Sequence, residues 1–190
     1  MALLSIAAAK VQRGEPIFTA EISPPRLYLE IDRIVGIARR LRALGLDAIA
    51  VTNSTGGSYK FSPWAIVEDI QRAMGHVPLI IHLTARDEGS ARSVYYHLHE
   101  MALKGVRDVL IIRGDPSPGN SAVLDSYRFT TTQLVELTAG YGRGVLLDGS
   151  RCEPLPNLDI FVAATRNIPN GRSTNISVFC GTRSMPAPPV

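Results

Sequence analysis

The chain has 190 residues, of which 45% are hydrophobic and 19% charged, a composition typical of a globular domain and unlike that of a disordered chain. Its net charge of +3 comes mainly from scattered arginines, without the basic, aromatic-rich stripe of a nucleic-acid-binding surface. Two cysteines are too few for a disulfide framework, and no apolar run approaches the ~20 residues of a membrane span. We therefore expect a cytoplasmic protein that binds neither nucleic acid nor membrane.

Apolar strands alternate with amphipathic helices along the chain. A short helix over Ala2–Ala9 precedes the first strand. The predicted strands are Ile17–Ile22, Ala48–Thr52, Leu79–Thr84, Val109–Gly114 and Asp159–Thr165. Between them, helices are predicted over Ile31–Leu44, from Ser62-Pro63 to Gly75, from Ser90 to Lys104 and, more weakly, over Gln133–Ala139. Such alternation indicates βα units, a parallel sheet and right-handed crossovers.

The first four strands begin at residues 17, 48, 79 and 109, a spacing that fits a (β/α)8 barrel of the TIM type. A doubly wound sheet has the same local alternation, but no G-x-G-x-x-G motif follows the first strand. A complete barrel needs about 250 residues. We therefore predict an incomplete α/β barrel of about five βα units over residues 1–165, with unpaired edges at the first and fifth strands. Residues 166–190 are predicted to form an irregular, mobile tail.

Polar side chains stand where the predicted strands end. They are Glu21, Thr52, His82, Thr84, Arg113 and Asp115. Because the carboxyl ends of parallel strands meet at one rim, where binding and catalytic groups lie, we predict a functional site there. Each position also has a structural interpretation: Glu21 as a surface carboxylate, His82 as a core histidine and Asp115 as a loop cap.

Several kinds of chemistry are disfavoured. The three lysines, Lys10, Lys60 and Lys104, do not end strands, which argues against a Schiff-base aldolase. There is no serine-centred elbow motif, and the histidines and carboxylates form no convincing metal set. His97 and His99 are interpreted as surface residues, and Trp64 as packing. What remains is an acid/base carboxylate, a second carboxylate, a cation and hydroxyls, which suit a polar heterocycle or a phosphorylated cofactor.

Four segments, in this order and spacing, resemble the methylenetetrahydrofolate reductase family. They are Phe18–Arg26, Val51-Thr52, His82–Thr84 with Arg86-Asp87, and Arg113–Pro116. The resemblance covers about residues 15–165 and implies a (β/α)8 barrel with FAD at the carboxyl ends of the strands. It further implies that NADH or NADPH reduces the flavin, which reduces 5,10-methylenetetrahydrofolate to 5-methyltetrahydrofolate in one-carbon metabolism and methionine biosynthesis.

The resemblance also implies residue roles. By position, Glu21 matches the general acid that assists opening of the folate ring, and Asp115 the carboxylate beside flavin and pterin. Asp115 is the alternative proton donor, although its neighbour Arg113 favours the ionised form. The positions that contact flavin correspond to Thr52, His82, Thr84, Arg113, Gly114 and Asp115.

The family's later strands have no counterpart among the predicted elements. We therefore expect activity in a completed barrel, formed by a homo-oligomer or with a second chain. A catalytically inactive fragment, or a partner-dependent subunit of such a barrel, is the alternative. A barrel lyase that uses Glu21 and Asp115 without flavin is a third interpretation.

Overall fold

The computed structural model describes residues 3–119, 125–155, 157–163 and 182–183 as strands, helices and connecting loops. The strands are β1 Thr19–Ile22, β2 Ala48–Val51, β3 Leu79–Thr84, β4 Asp108–Ile112, β5 Asp159–Val162 and β6 Thr182–Arg183. The helices are α1 Leu3–Gln12, α2 Ile31–Ala43, α3 Pro63–Met74, α4 Ala91–Leu103 and α5 Thr131–Gly142. β1 to β5 are parallel and lie side by side in chain order, which confirms the predicted α/β sheet of the barrel type.

The two faces of this sheet pack against different partners. One face carries Ile49, Val51, Ile81, Leu83, Val109, Ile111 and Ile160, which join the main core with α2 to α5. The other face carries Ala48, Ala50, Ile80, Leu110 and Phe161, which pack against Leu3 of α1. Because side chains alternate along a strand, Glu21, which pairs with Ala50, and His82, two residues after Ile80, belong to the second face. In a closed barrel this face lines the interior.

The helices begin where the sequence offers a capping side chain. The Ser62 hydroxyl accepts a hydrogen bond from the backbone N–H of Trp64, and Pro63 is the first residue of α3, as predicted. Ser90 caps α4 and Thr130 caps α5 in the same way, each through the third residue of its helix. These caps fix where each helix leaves the loop that follows a strand, and therefore fix the shape of the rim.

Four strands are shorter than predicted; the fifth, predicted from Asp159 to Thr165, ends at Val162, before Ala163. β1 begins at Thr19, so Ile17 lies outside it, and β2 ends one residue before Thr52. The predicted fourth strand ran to Gly114, but β4 ends at Ile112. Gly114 has a φ of +83°, which an extended strand does not allow. The predicted site residues Arg113, Gly114 and Asp115 therefore lie in a loop and not in the strand.

The edges of the sheet differ from the prediction at one side. Within the described residues β1 pairs with β2 alone, so this edge is open as expected. The prediction of an open edge at β5 is wrong at two residues, because Asp159 and Ile160 pair antiparallel with Arg183 and Thr182. A two-residue strand is too short to leave a periodic pattern in the sequence.

The predicted mobile tail falls largely outside the described ranges. Of residues 166–190 only 182–183 lie inside them, so the prediction for the rest stays a prediction. The same holds for the last two residues of the predicted fifth strand, 164 and 165. Among the helices that the structure does describe, none is both long and apolar enough to cross a membrane.

Candidate active site

Glu21 and His82 face each other across the open side of the sheet. The Glu21 Oε1 lies 4.0 Å from the His82 Nε2, and the side chains are 65% and 6% exposed. Burial lowers the pKa of His82 to about 4, so the imidazole is neutral at neutral pH and the contact is not an ion pair. The His82 Nε2 has no hydrogen-bond partner among the described residues. The carboxyl end of β3 thus holds a buried polar atom that is free to bond to a ligand.

A second buried polar atom without a partner lies two residues further along β3. Thr84 is fully buried, and its Oγ1 finds no hydrogen-bond partner in the described part of the chain. Gly114 lies beside it, where a Cβ at the glycine would overlap the Thr84 methyl group. Glycine is therefore required at 114 by the close approach of the two strand ends as well as by its positive φ.

Arg113 and Asp115, on either side of Gly114, are both exposed. The Arg113 guanidinium lies 5.4 Å from the centre of the Tyr127 ring, a cation–π contact. The Tyr127 hydroxyl donates a hydrogen bond of 3.0 Å to the Gly114 carbonyl. No ion pair within the described ranges joins Arg113 to Asp115.

The buried Arg86 side chain connects three loops of the rim, a role that the sequence does not indicate. Its side chain is 2% exposed and bonds through Nε and Nη2 to the Asp87 carboxylate, at 2.7 and 2.8 Å. Its Nη1 donates to the Asp115 carbonyl at 2.7 Å and to the Ser54 carbonyl at 3.3 Å. The hydrogen bonds that Arg86 donates to the Asp87 carboxylate raise the pKa of Arg86, so the guanidinium stays charged. Arg86 thereby ties together the loops after β2, β3 and β4.

Lys60 also reaches the rim, although it does not follow a strand. Its Nζ donates a hydrogen bond of 2.6 Å to the Ser23 hydroxyl at the exit of β1. The Thr52 hydroxyl donates to Ser23 at 3.1 Å, and the Thr55 hydroxyl donates to Thr52 at 2.8 Å. Lys60 lies in the loop between β2 and α3, so its position in the sequence does not indicate that its side chain reaches the rim.

His97 is not the simple surface residue that was expected. Its Nδ1 lies 2.8 Å from the Oε1 of Glu88, a carboxylate that is 1% exposed. The imidazole stacks on the Trp64 ring with 5.1 Å between ring centres. Trp64 itself is 4% exposed and packs in the core, in agreement with its interpretation as packing. The exposed His99 lies 3.2 Å from the Tyr141 hydroxyl through its Nδ1.

The family model named Methylenetetrahydrofolate reductase matches residues 6–142 of the chain. The chain belongs to the methylenetetrahydrofolate reductase family. No curated protein matches it. Among solved structures, "The crystal structure of Mandelate racemase/muconate lactonizing enzyme from Roseiflexus sp." matches with 14% identity and a TM-score of 0.38. That alignment covers 50% of this chain and 26% of the other.

Methylenetetrahydrofolate reductases are TIM barrels, and the five parallel strands are consistent with an incomplete barrel of that kind. The stretch matched to the family includes Glu21, Thr52, His82, Thr84 and the Arg113–Asp115 segment. In space, Glu21 meets His82, Thr84 meets Gly114, and Thr52 joins the hydroxyl cluster with Lys60. No group of three or more metal-ligating side chains occurs among the described residues.

Proposed function

We propose that this chain catalyses the FAD-dependent reduction of 5,10-methylenetetrahydrofolate to 5-methyltetrahydrofolate, with NADH or NADPH as the electron donor, in a completed barrel. The observation that carries the proposal is a family match that spans the rim where Glu21 lies 4.0 Å from a buried, neutral His82. The described strands supply five parallel strands of a barrel that has eight. Further strands, from a second copy or another chain, would close it around the second face of the sheet.

The residues at the rim suit a flavin. The buried His82 Nε2 and Thr84 Oγ1 lack partners among the described residues, and an unpaired buried polar atom costs roughly 1–3 kcal/mol until it is bonded. A cofactor rich in hydrogen-bonding atoms would satisfy both. We assign Thr52, His82, Thr84, Arg113 and Gly114 to hold FAD. When bound there, FAD would supply the redox centre for hydride transfer from the reduced nicotinamide to the folate.

Glu21 is the residue that we assign to the proton transfer. Reduction of the methylene group requires a carbon–nitrogen bond of the folate to break, and nitrogen leaves readily only when it is protonated. The Glu21 carboxyl is 65% exposed on the open side of the sheet, where a substrate can reach it. Because His82 is neutral, it does not hold Glu21 in an ion pair. A well-placed general acid contributes about 10²- to 10⁴-fold in rate.

Asp115 is the second carboxylate of the proposed site. Its side chain is exposed, while Arg86 fixes its backbone through the hydrogen bond to its carbonyl. We assign it to an electrostatic contact with the flavin and the pterin. The Arg86 bond fixes the backbone from which this side chain projects.

The test combines a spectrum with two half-reactions. Purified protein incubated with FAD should retain a visible flavin absorption after gel filtration, both as wild type and as Glu21→Gln. Reduction of the flavin by the nicotinamide should persist in Glu21→Gln, while its reoxidation by methylenetetrahydrofolate should fall by about 10²- to 10⁴-fold. Glu136→Gln, which removes an exposed carboxylate on α5, is the matched control and should leave both rates unchanged.

Two results would contradict the proposal. Wild-type protein that retains no flavin would remove the cofactor from the mechanism. Equal loss of both half-reactions in Glu21→Gln would make Glu21 a flavin-site residue and not the proton donor.

A further inference from the structure

Three hydroxyl groups and one ammonium group converge at the exits of β1 and β2. The Lys60 Nζ and the Thr52 Oγ1 both donate to the Ser23 Oγ, and the Thr55 Oγ1 donates to Thr52. The Ser23 and Thr55 oxygens are 3.4 Å apart. This hydroxyl–lysine cluster begins two residues after Glu21 in the chain. Its position therefore adjoins the proposed reaction centre.

The charge of Lys60 is not neutralised by the described part of the protein. Among the described residues Lys60 forms no ion pair, in contrast to Lys10, which pairs with Asp47, and Lys104, which pairs with Glu68 and Glu100. A lysine ammonium has three donors, and one of them bonds to Ser23. The Ser23 oxygen accepts from both Lys60 and Thr52, so its own proton, like the two remaining Lys60 donors, can be donated to an oxyanion.

The loop that presents this cluster is fixed in shape. Gly56 and Gly57 have φ values of +67° and +68°, and a Cβ at Gly57 would overlap the carbonyl of Pro116. The Ser58 hydroxyl donates to the Thr55 carbonyl at 3.0 Å and closes the turn. Preorganised donors lose little entropy when a ligand binds.

Lys60 also lines a cleft with room for a ligand. The cleft has a volume of about 380 Å³ and is lined in addition by Asn53, Ser62, Trp64 and Arg86. The acidic residue in its wall, Asp87, is held by two hydrogen bonds from Arg86. Because Arg86 holds Asp87, the lining keeps the positive charge of Lys60, the residue that the cleft shares with the hydroxyl–lysine cluster. Ser23, Thr52 and Thr55 do not line the cleft.

We propose that Lys60 and Ser23 bind an oxyanion, a phosphate or carboxylate carried by a substrate that reaches the rim beside Glu21. The existence of this anion site follows from the cluster itself, whereas its assignment to a substrate rests on the proposed function. Two sources have the required chemistry: the pyrophosphate of the nicotinamide dinucleotide and the glutamyl carboxylates of the folate.

Fluorescence of Trp64 provides a direct measurement, because it is the single tryptophan of the chain and lines the same cleft as Lys60. We expect the full chain to bind inorganic pyrophosphate and Lys60→Gln to weaken the binding about tenfold, or 1.4 kcal/mol. Lys60→Arg keeps the cation and should restore most of the affinity. Arg72→Gln also removes one positive charge, from a side chain that is 75% exposed on α3. It is the matched control and should bind pyrophosphate as wild type does.

Two further titrations identify the source of the anion. If Lys60→Gln weakens ADP-ribose and leaves folic acid unchanged, the site binds the dinucleotide phosphate. If it weakens folic acid but not pteroic acid, which lacks the glutamate, the site binds the glutamyl carboxylate. Either result supports the inference.

Absence of pyrophosphate binding to the wild type would overturn the inference, as would equal weakening in Lys60→Gln and Arg72→Gln, which indicates a bulk charge effect. If the wild type binds pyrophosphate but does not reduce methylenetetrahydrofolate, the proposed function is contradicted and the anion site stands.

Discussion

His82 should make the stability of this protein fall in mildly acidic solution. Its pKa is lowered to about 4 by burial, from the ordinary value of 6.5 that it regains in the unfolded chain. The nearby Glu21 carboxylate would favour a proton on His82, but at 4.0 Å and 65% exposure it does not outweigh burial. Between these two pKa values the unfolded chain binds more protons than the folded chain, so the free energy of unfolding rises with pH across this window and is lost as pH falls.

The magnitude follows from the two pKa values. Integration from about pH 7.5 down to about pH 5 gives a loss of about 2 kcal/mol in the free energy of unfolding. Most of this loss occurs at pH values above the ordinary carboxylate pKa of about 4, so the titration of carboxylates contributes little to it. The expected change is a sizeable share of the 5–15 kcal/mol by which domains are typically stable.

Urea denaturation at a series of pH values measures this loss. His82→Leu removes both the titrating group and the unpartnered Nε2, and should flatten the dependence between about pH 5 and 7. His76→Gln removes an exposed imidazole and should leave the wild-type slope intact. An unchanged slope in His82→Leu would show that His82 is solvated in the folded protein and would refute the burial argument.

Three further predictions concern the loops after β3 and β4. Arg86→Met should lower the free energy of unfolding by about 2–3 kcal/mol in urea denaturation, because Asp87 and two carbonyls lose a charged donor. Arg113→Ala, at an exposed site, should lower the free energy of unfolding by under about 0.5 kcal/mol. It should weaken FAD binding about tenfold in a flavin fluorescence titration. A large loss of stability with unchanged FAD affinity would make Arg113 structural. Gly114→Ala should destabilise by more than Gly105→Ala in thermal melts, since both glycines have positive φ but only the first meets a neighbour, the Thr84 methyl. Equal losses would mean that Thr84 moves aside at little cost.

The sheet and its rim could be predicted because they depend on local patterns. Strand and helix positions follow from runs of apolar residues and from caps such as Ser62, which act within one or two turns of chain. The placement of Glu21 and His82 at one rim then follows from parallel topology, since β1, β2 and β3 all end at the same side. Such predictions need no knowledge of side-chain conformation.

The residues that were missed depend on long side chains and loop shape. Arg86 was noticed only as part of a motif, because nothing in the sequence shows that its guanidinium turns under the rim to reach Ser54 and Asp115. Lys60 was set aside because it does not follow a strand, yet its flexible stem carries the ammonium back to Ser23. Long, flexible side chains that reach residues 29 to 37 positions away leave no periodic signal in the sequence.

The departures from good packing are concentrated at one place, and this concentration argues for a ligand. The carboxyl end of β3 holds two buried polar atoms without described partners, on His82 and Thr84, and the facing loop requires a glycine at positive φ. For stability alone, an apolar side chain at 82 would avoid both the unpaired nitrogen and the acid sensitivity. Elsewhere on the same face, Ile80 and Leu110 pack in an ordinary apolar cluster. A bound group that bonds to both atoms would offset the cost of burying them unpaired, which is the expected property of a binding site built into a sheet.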